Sequence, residues 1–363
     1  YVDHKSKMYE RERLSFELFG GGEQVLDCLI ASLLSKGEGH VFLIEEPETH
    51  MHPAYIKGLA RVLEEMVKER NIQVIAITQS PEFIAAIENK SSIIGVGKRR
   101  KRIHATSKLV TEVYRPYRER EDKYLIETLA YELGVSPGHF FFTDVVIFVE
   151  GPSDIIIFQH FIDLLQNEGR LRFLPRTRYD LVKYRGLNLR TALEILRGNY
   201  KVKTFVIADN DPQGQKSVRM AIKAGLQENE EVFKLSKKDV LDFVPPEILY
   251  NALIDVISDV LELSSDKLKQ IKIQVSEKEE KDASKILEEI KKYGVVKGNT
   301  DLLRLLINGL SEEVLDARGW SRKDLYHSLK PFIAERAMKE MEEVPDEIER
   351  ILIIIDNNVG EAV

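Results

Sequence analysis

Two almost wholly apolar runs, residues 145–149 (Val-Val-Ile-Phe-Val) and 204–208 (Thr-Phe-Val-Ile-Ala), each end on a cluster of carboxylates. Such runs lack the polar alternation of a half-exposed strand, so they suit strands covered on both faces. Helical patterns follow at 155–166, 189–197 and 215–225. Strands alternating with helices predict an α/β unit with a parallel sheet flanked by helices. In an open parallel sheet, functional groups gather beyond the carboxyl ends of the strands, and both acidic clusters fall there.

The first cluster is Val149-Glu150-Gly151-Pro152-Ser153-Asp154 and the second is Ala208-Asp209-Asn210-Asp211-Pro212-Gln213-Gly214. Gly151 lets the backbone turn after Glu150, and Asp154 opens the next helix. Four carboxylates at one sheet edge repel unless cations lie among them. An oxygen-only donor set suits Mg2+ or Mn2+. Two such ions can clamp the attacking and leaving oxygens of a phosphodiester cut. The same residues could instead be helix caps and turn formers. That reading explains one motif easily and the repetition after both strands poorly.

Val-Glu-Gly-Pro-Ser-Asp followed by Ile-Ala-Asp-Asn-Asp resembles the Toprim domain of topoisomerases, bacterial primases and OLD-family (overcoming lysogenization defect) nucleases. The resemblance implies metal roles for Glu150, Asp209 and Asp211, and its OLD-type form adds Asp154. Residues 238–245 resemble the acidic segment of OLD nucleases, which implies that Asp239 and Asp242 assist in holding metal; Leu241 stands where a glutamate is common. Residues 330–335 resemble the segment with the family's catalytic lysine, here Lys330, whose charge would stabilise the phosphoryl transition state. Lys330 as a surface lysine before a helix is the plain alternative.

The first hundred residues carry a second set of motifs. Gly20-Gly21-Gly22-Glu23-Gln24 opens a helix predicted over 23–34, and glycines before a helix suit phosphate binding through backbone N–H groups. A strand predicted over 40–44, suited to burial, runs into Glu45-Glu46-Pro47-Glu48-Thr49-His50-Met51-His52-Pro53. An acidic pair at a strand end can orient magnesium and an attacking water. His50 and His52 lack the partner cluster a metal site needs. A helix over 53–68 and a buried strand over 73–78 follow. Together these resemble ABC-type ATPases of the RecF/SMC/OLD branch. Gly20 to Gln24 then answers to the signature motif, Glu45 and Glu46 to the Walker B acid and catalytic glutamate, and Gln79 to the switch position. Glycine replaces the usual signature serine at Gly20, and glutamine the usual histidine at Gln79. No Gly-x-x-x-x-Gly-Lys-[Ser/Thr] occurs in the 363 residues. ATP binding is therefore expected only with a Walker A lobe supplied elsewhere, as a removed N-terminal part or a separate polypeptide. A chain opening on Tyr1 fits a fragment.

The expected organisation is a partial ABC ATPase lobe over 1–115, a linker helix over 116–143, a Toprim core over 144–250, and a region over 251–363 that carries Lys330 and completes the Toprim domain. Residues 91–97 and 103–113 predict paired strands around a basic tip at 98–102 (Lys-Arg-Arg-Lys-Arg). The stretch 246–345 reads as a helical insertion, with 277–292 a solvated amphipathic segment, and 351–355 as a last strand. The single Cys28 excludes a disulfide framework and a cysteine-based zinc site. A polar start gives no secretory leader, and no apolar run approaches the roughly 18 to 20 residues of a membrane span; the cytoplasm is the expected location. A net charge of -7 does not exclude nucleic acid, because phosphate contact needs only a local basic patch. The expected function is a DNA endonuclease or nickase working by a two-metal Toprim mechanism, regulated by the ATPase module, in phage defence or DNA maintenance. The expected partners are DNA, further copies of the chain, and a lobe-supplying or helicase-like polypeptide. The rival is a non-catalytic regulatory or clamp subunit with a degenerate site. No tyrosine-bearing breakage domain or polymerase region supports a topoisomerase or a primase.

Overall fold

The computed structural model describes residues 20–36, 38–103, 106–261, 272–276, 279–282 and 322–360. The chain divides into two compact units, residues 1–95 with 114–142, and residues 96–113 with 143–363.

In the first unit, α1 (Gly21–Ser35), β1 (Val41–Glu45), α2 (Pro53–Arg70), β2 (Gln73–Ile77) and α3 (Pro81–Ala86) alternate, with α4 (Arg120–Leu133) following later in the chain. β1 and β2 pair in parallel, Val41 opposite Gln73 and Glu45 opposite Ile77. Phe42, Ile44, Val74 and Ala76 pack on a core of Leu33, Ile56, Leu59, Leu63, Met66 and Phe83. The strands were expected to be buried, but only one face is. Leu43 and Ile77, pointing the other way, are 77% and 63% exposed. Successive side chains leave a strand on opposite faces, and the helical core covers only one of them.

β3 (Gly95–Ile103) pairs with β4 (Thr106–Tyr114). The basic run 98–102 thus lies inside β3 and not at the tip. Those five residues include none of the Gly, Pro, Asn or Asp that a reversal favours.

The second unit is built on a four-stranded sheet in the order β6-β5-β7-β8, parallel throughout: β5 (Val145–Val149), β6 (Tyr179–Lys183), β7 (Lys203–Ala208) and β8 (Val232–Lys234). One face of the sheet, with Val145, Ile147, Val149, Phe205 and Ile207, packs in a single core with α5 (Pro152–Asn167), α8 (Pro246–Leu261), α9 (Arg322–Met338) and α10 (Asp346–Gly360). α6 (Leu189–Glu194), extended by a π turn to Asn199, and α7 (Pro212–Lys223) complete the crossovers. β5 is buried along its whole length, as its composition predicts. The chain leaves β5 for β6 on one side and returns to β7 on the other. The strand order therefore reverses between β5 and β7, the topological switch point where such sheets open a crevice at their carboxyl edge.

Three sequence expectations are corrected here. Residues 351–355 are helix, not strand: Ile348, Ile351, Leu352, Ile355 and Val359 are the buried positions of α10, a spacing of three and four that belongs to a helix. The region after 246 is not wholly helical, because β9 (Lys272–Ser276) and β10 (Glu279–Asp282) pair antiparallel; residues 283–321 lie outside the described residues. β6 and β8 were not anticipated. Among the described residues no helix is long and apolar enough to cross a membrane.

Candidate metal centre

Glu150 and Asp209 follow β5 and β7 directly, so they flank the switch point. Both are buried, as are Asp154 and Asp239. Gly151 breaks from the strand as N-cap of α5, and its N–H donates to Asp154 Oδ2 at 3.0 Å. Ser153 Oγ donates to Asp154 Oδ1 at 3.2 Å. Asp211 caps α7, accepting from the Gly214 N–H at 2.6 Å. Gly214 lies against the Asp209 carbonyl oxygen so closely that a Cβ would overlap it. That contact folds Asp209 and Asp211 into one turn. Asp239 caps the 3-10 turn Val240–Phe243 after β8, and its Oδ1 accepts from the Leu241 N–H at 2.9 Å. Its Oδ2 accepts from Lys330 Nζ, on α9, at 2.5 Å. Lys330 is thus inside a helix and partly buried, not on the surface before one. Asp242 lies on the turn behind Asp239. Leu241 is fully buried in the core, which accounts for an apolar residue at that position.

The electrostatics agree that these groups face one another. Burial, then Asp211 and Asp154, push the Glu150 carboxyl up to about 7, against the pull of Arg185 and Lys330. Asp154 is raised by burial and by Asp239, opposed by Lys330 and by its hydrogen bonds from Gly151 and Ser153. Asp209 is raised by burial, then by Asp154, Asp239 and Glu150. Desolvation and like charge both disfavour the ionised form. Among the described residues, no three His, Cys, Asp or Glu side chains already stand around one point at ligating geometry. Asp154, Asp211 and Asp239 are turned onto protein donors, and Arg185 Nη1 lies 3.7 Å from Glu150 Oε1. Glu150 Oε2, however, is buried without a hydrogen-bond partner. An orphaned carboxylate oxygen amid mutually repelling acids is a donor set that fits a divalent cation, once the side chains rotate toward it.

The nucleotide-site candidates lie in the first unit. Gly20 precedes α1, Gly21 and Gly22 form its first turn, and Gly22 packs on the His50 carbonyl; Glu23 lies in the same turn. Glu45 ends β1, and Glu46 follows in a left-handed conformation, φ 45°, with its N–H donating to the Ile77 carbonyl at 2.8 Å. Gln79 Nε2 donates to Glu46 Oε1 at 3.0 Å, which brings the two together. Sequence reasoning missed the part played by Glu48. Its Oε1 accepts from Thr78 Oγ1 at 2.7 Å and from the Gln79 N–H at 2.9 Å, tying this loop to the one after β2. It also missed Arg185, for which no motif gave a signal.

Two family models match the chain. Residues 10–85 match one described as an AAA domain, putative AbiEii toxin, type IV toxin–antitoxin system. Residues 141–211 match the overcoming lysogenization defect protein-like TOPRIM domain. Among solved structures, the C-terminal region of the Xanthomonas campestris pv. campestris OLD protein is 15% identical with a TM-score of 0.40, over 61% of this chain and 98% of that one. The C-terminal region of the Burkholderia pseudomallei OLD protein is 17% identical with a TM-score of 0.38, over 60% and 99%. No curated protein matches the chain.

Proposed function

We propose, from the premise that this chain joins an AAA-type ATPase segment to an OLD-like TOPRIM domain, that it is a divalent-metal-dependent DNA endonuclease or nickase. The observation that carries the reading is the meeting of Glu150, Asp154, Asp209, Asp211 and Asp239 with Lys330 at the switch point, with one buried carboxylate oxygen left unpartnered. Glu150, Asp154, Asp209 and Asp211 would hold Mg2+ or Mn2+, assisted by Asp239 and Asp242. Such ions, when bound, would supply Lewis acidity toward the phosphate and a lowered pKa for an attacking water. Asp239 holds the Lys330 ammonium at the cluster, where it would face charge developing on the phosphate oxygens.

The ATPase segment would gate DNA access or assembly. Glu46 and Gln79, joined by a hydrogen bond, would orient a water, and ATP would enter only with a Walker A lobe from another part or partner. Self-association, a helicase-like partner, and a role in phage defence or DNA maintenance belong to the same proposal. Supercoiled plasmid incubated with Mg2+ or Mn2+ tests it. Nicking should appear, and Asp209→Ala should reduce it by on the order of a thousandfold. No cleavage with either ion would favour the non-catalytic regulatory or clamp subunit.

A further inference from the structure

Lys330 and Arg185 both act on the acidic cluster, but from different positions. Lys330 is mostly covered and engaged on Asp239. Arg185 stands at the rim. Its side chain is 63% exposed, whereas Glu150, 3.7 Å away, is 10% exposed. Its guanidinium makes no hydrogen bond among the described residues. An ion pair this long and exposed adds little to stability, so it does not account for an arginine at this position.

The backbone holds Arg185 in place. The Tyr184 N–H donates to the Val149 carbonyl at 2.8 Å and the Arg185 N–H to the Glu150 carbonyl at 3.2 Å, extending the β5–β6 pairing past the strand end. The Leu187 N–H closes a turn on the Tyr184 carbonyl at 2.9 Å, with Gly186 at φ 88°. The Tyr184 ring is buried. The backbone therefore presents a permanently charged planar fork at the carboxyl edge of the sheet, beside the candidate metal centre, with donors open to solvent. Guanidinium forks match phosphate oxygens.

We propose that Arg185 is a substrate-binding residue that grips a backbone phosphate of the DNA strand at the mouth of the metal centre. This rests on the nuclease reading above. Binding of a short fluorescein-labelled DNA duplex to the full chain, by anisotropy in Ca2+ over a range of salt concentrations, tests it with Arg185→Ala and Arg185→Lys. Loss of one phosphate contact should lower the slope of log affinity against log salt by about 0.9. Arg185→Ala should bind on the order of tenfold more weakly at low salt, and Arg185→Lys should restore the slope but only part of the affinity, since lysine keeps the charge without the fork. If Arg185→Ala keeps the wild-type slope and affinity, the residue is only a counter-charge for Glu150 and the proposal fails. If wild type binds neither this duplex nor Mn2+ in calorimetry, the nuclease reading fails and this proposal with it.

Discussion

Gly214 shows how a single atom can set a site. Its α-carbon faces the Asp209 carbonyl oxygen at a separation that leaves no room for a methyl group. In Gly214→Ala, either α7 must retreat or the Asp209 backbone must move. Overpacking of this kind costs about 1–3 kcal/mol. The expected outcome is a matching loss in denaturant midpoint, and a loss of nicking that exceeds it because Asp209 is displaced from its neighbours. Unchanged stability and cleavage would show that the turn tolerates the methyl. Glycine at this place was visible in the sequence as part of the Asp-Asn-Asp-Pro-Gln-Gly string, but its reason was not, since the contact depends on how the turn closes. Glu150 and Asp209 were legible because each follows an apolar run, whereas Asp239 was reached only through the resemblance of residues 238–245. Arg185 was not, because its nearness to Glu150 arises from strand order, which a linear pattern does not contain.

Among the elements, β5 and β7 were the most legible and α10 the least. A run of five apolar residues at 351–355 fits a strand as well as a buried turn of helix. The decision came from Ile348 and Val359 outside it, which continue the helical stripe. β6, Tyr-Asp-Leu-Val-Lys, mixes polar and apolar residues, and β8 has only three, too few to show a period. α10 also carries Asp356, which is buried and accepts the backbone N–H groups of Arg172, Phe173 and Leu174 at 3.0, 2.9 and 2.7 Å. Replacing it by alanine leaves three donors without their acceptor. A buried donor left without its acceptor costs about 1–3 kcal/mol. Asp356→Ala should lose roughly 3 kcal/mol in urea unfolding, and Asp356→Asn, which keeps one acceptor oxygen, should lose less. Equal stability of all three proteins would remove this clamp from the account.

For the whole molecule, the cluster of buried acids makes stability depend on pH in the opposite sense to a salt-bridged carboxylate. Glu150 binds its proton more tightly when folded than when unfolded, because its folded value is raised to about 7. Its contribution is complete below the unfolded value, about 4.3, and is lost as pH rises toward 7. Asp154 and Asp209 act in the same direction. In chelator, Glu150→Gln should therefore gain melting temperature on wild type between about pH 5 and about pH 8. Mn2+ should raise the wild-type melting temperature more at about pH 8, where it displaces fewer protons, than at about pH 5.5. A melting temperature of wild type and Glu150→Gln that changes in parallel with pH would contradict this.

Glu347, near the start of α10, accepts from the Ser236 N–H at 2.7 Å and from its hydroxyl; the Ser236 carbonyl in turn accepts from Asn210 Nδ2 at 3.1 Å. Asp356 fastens the other end of the same helix to residues 172–174. The final described helix therefore acts as a bolt across two loops that lie more than a hundred positions upstream. A ribosome must pass residue 347 before the Asp-Asn-Asp turn acquires its outer brace.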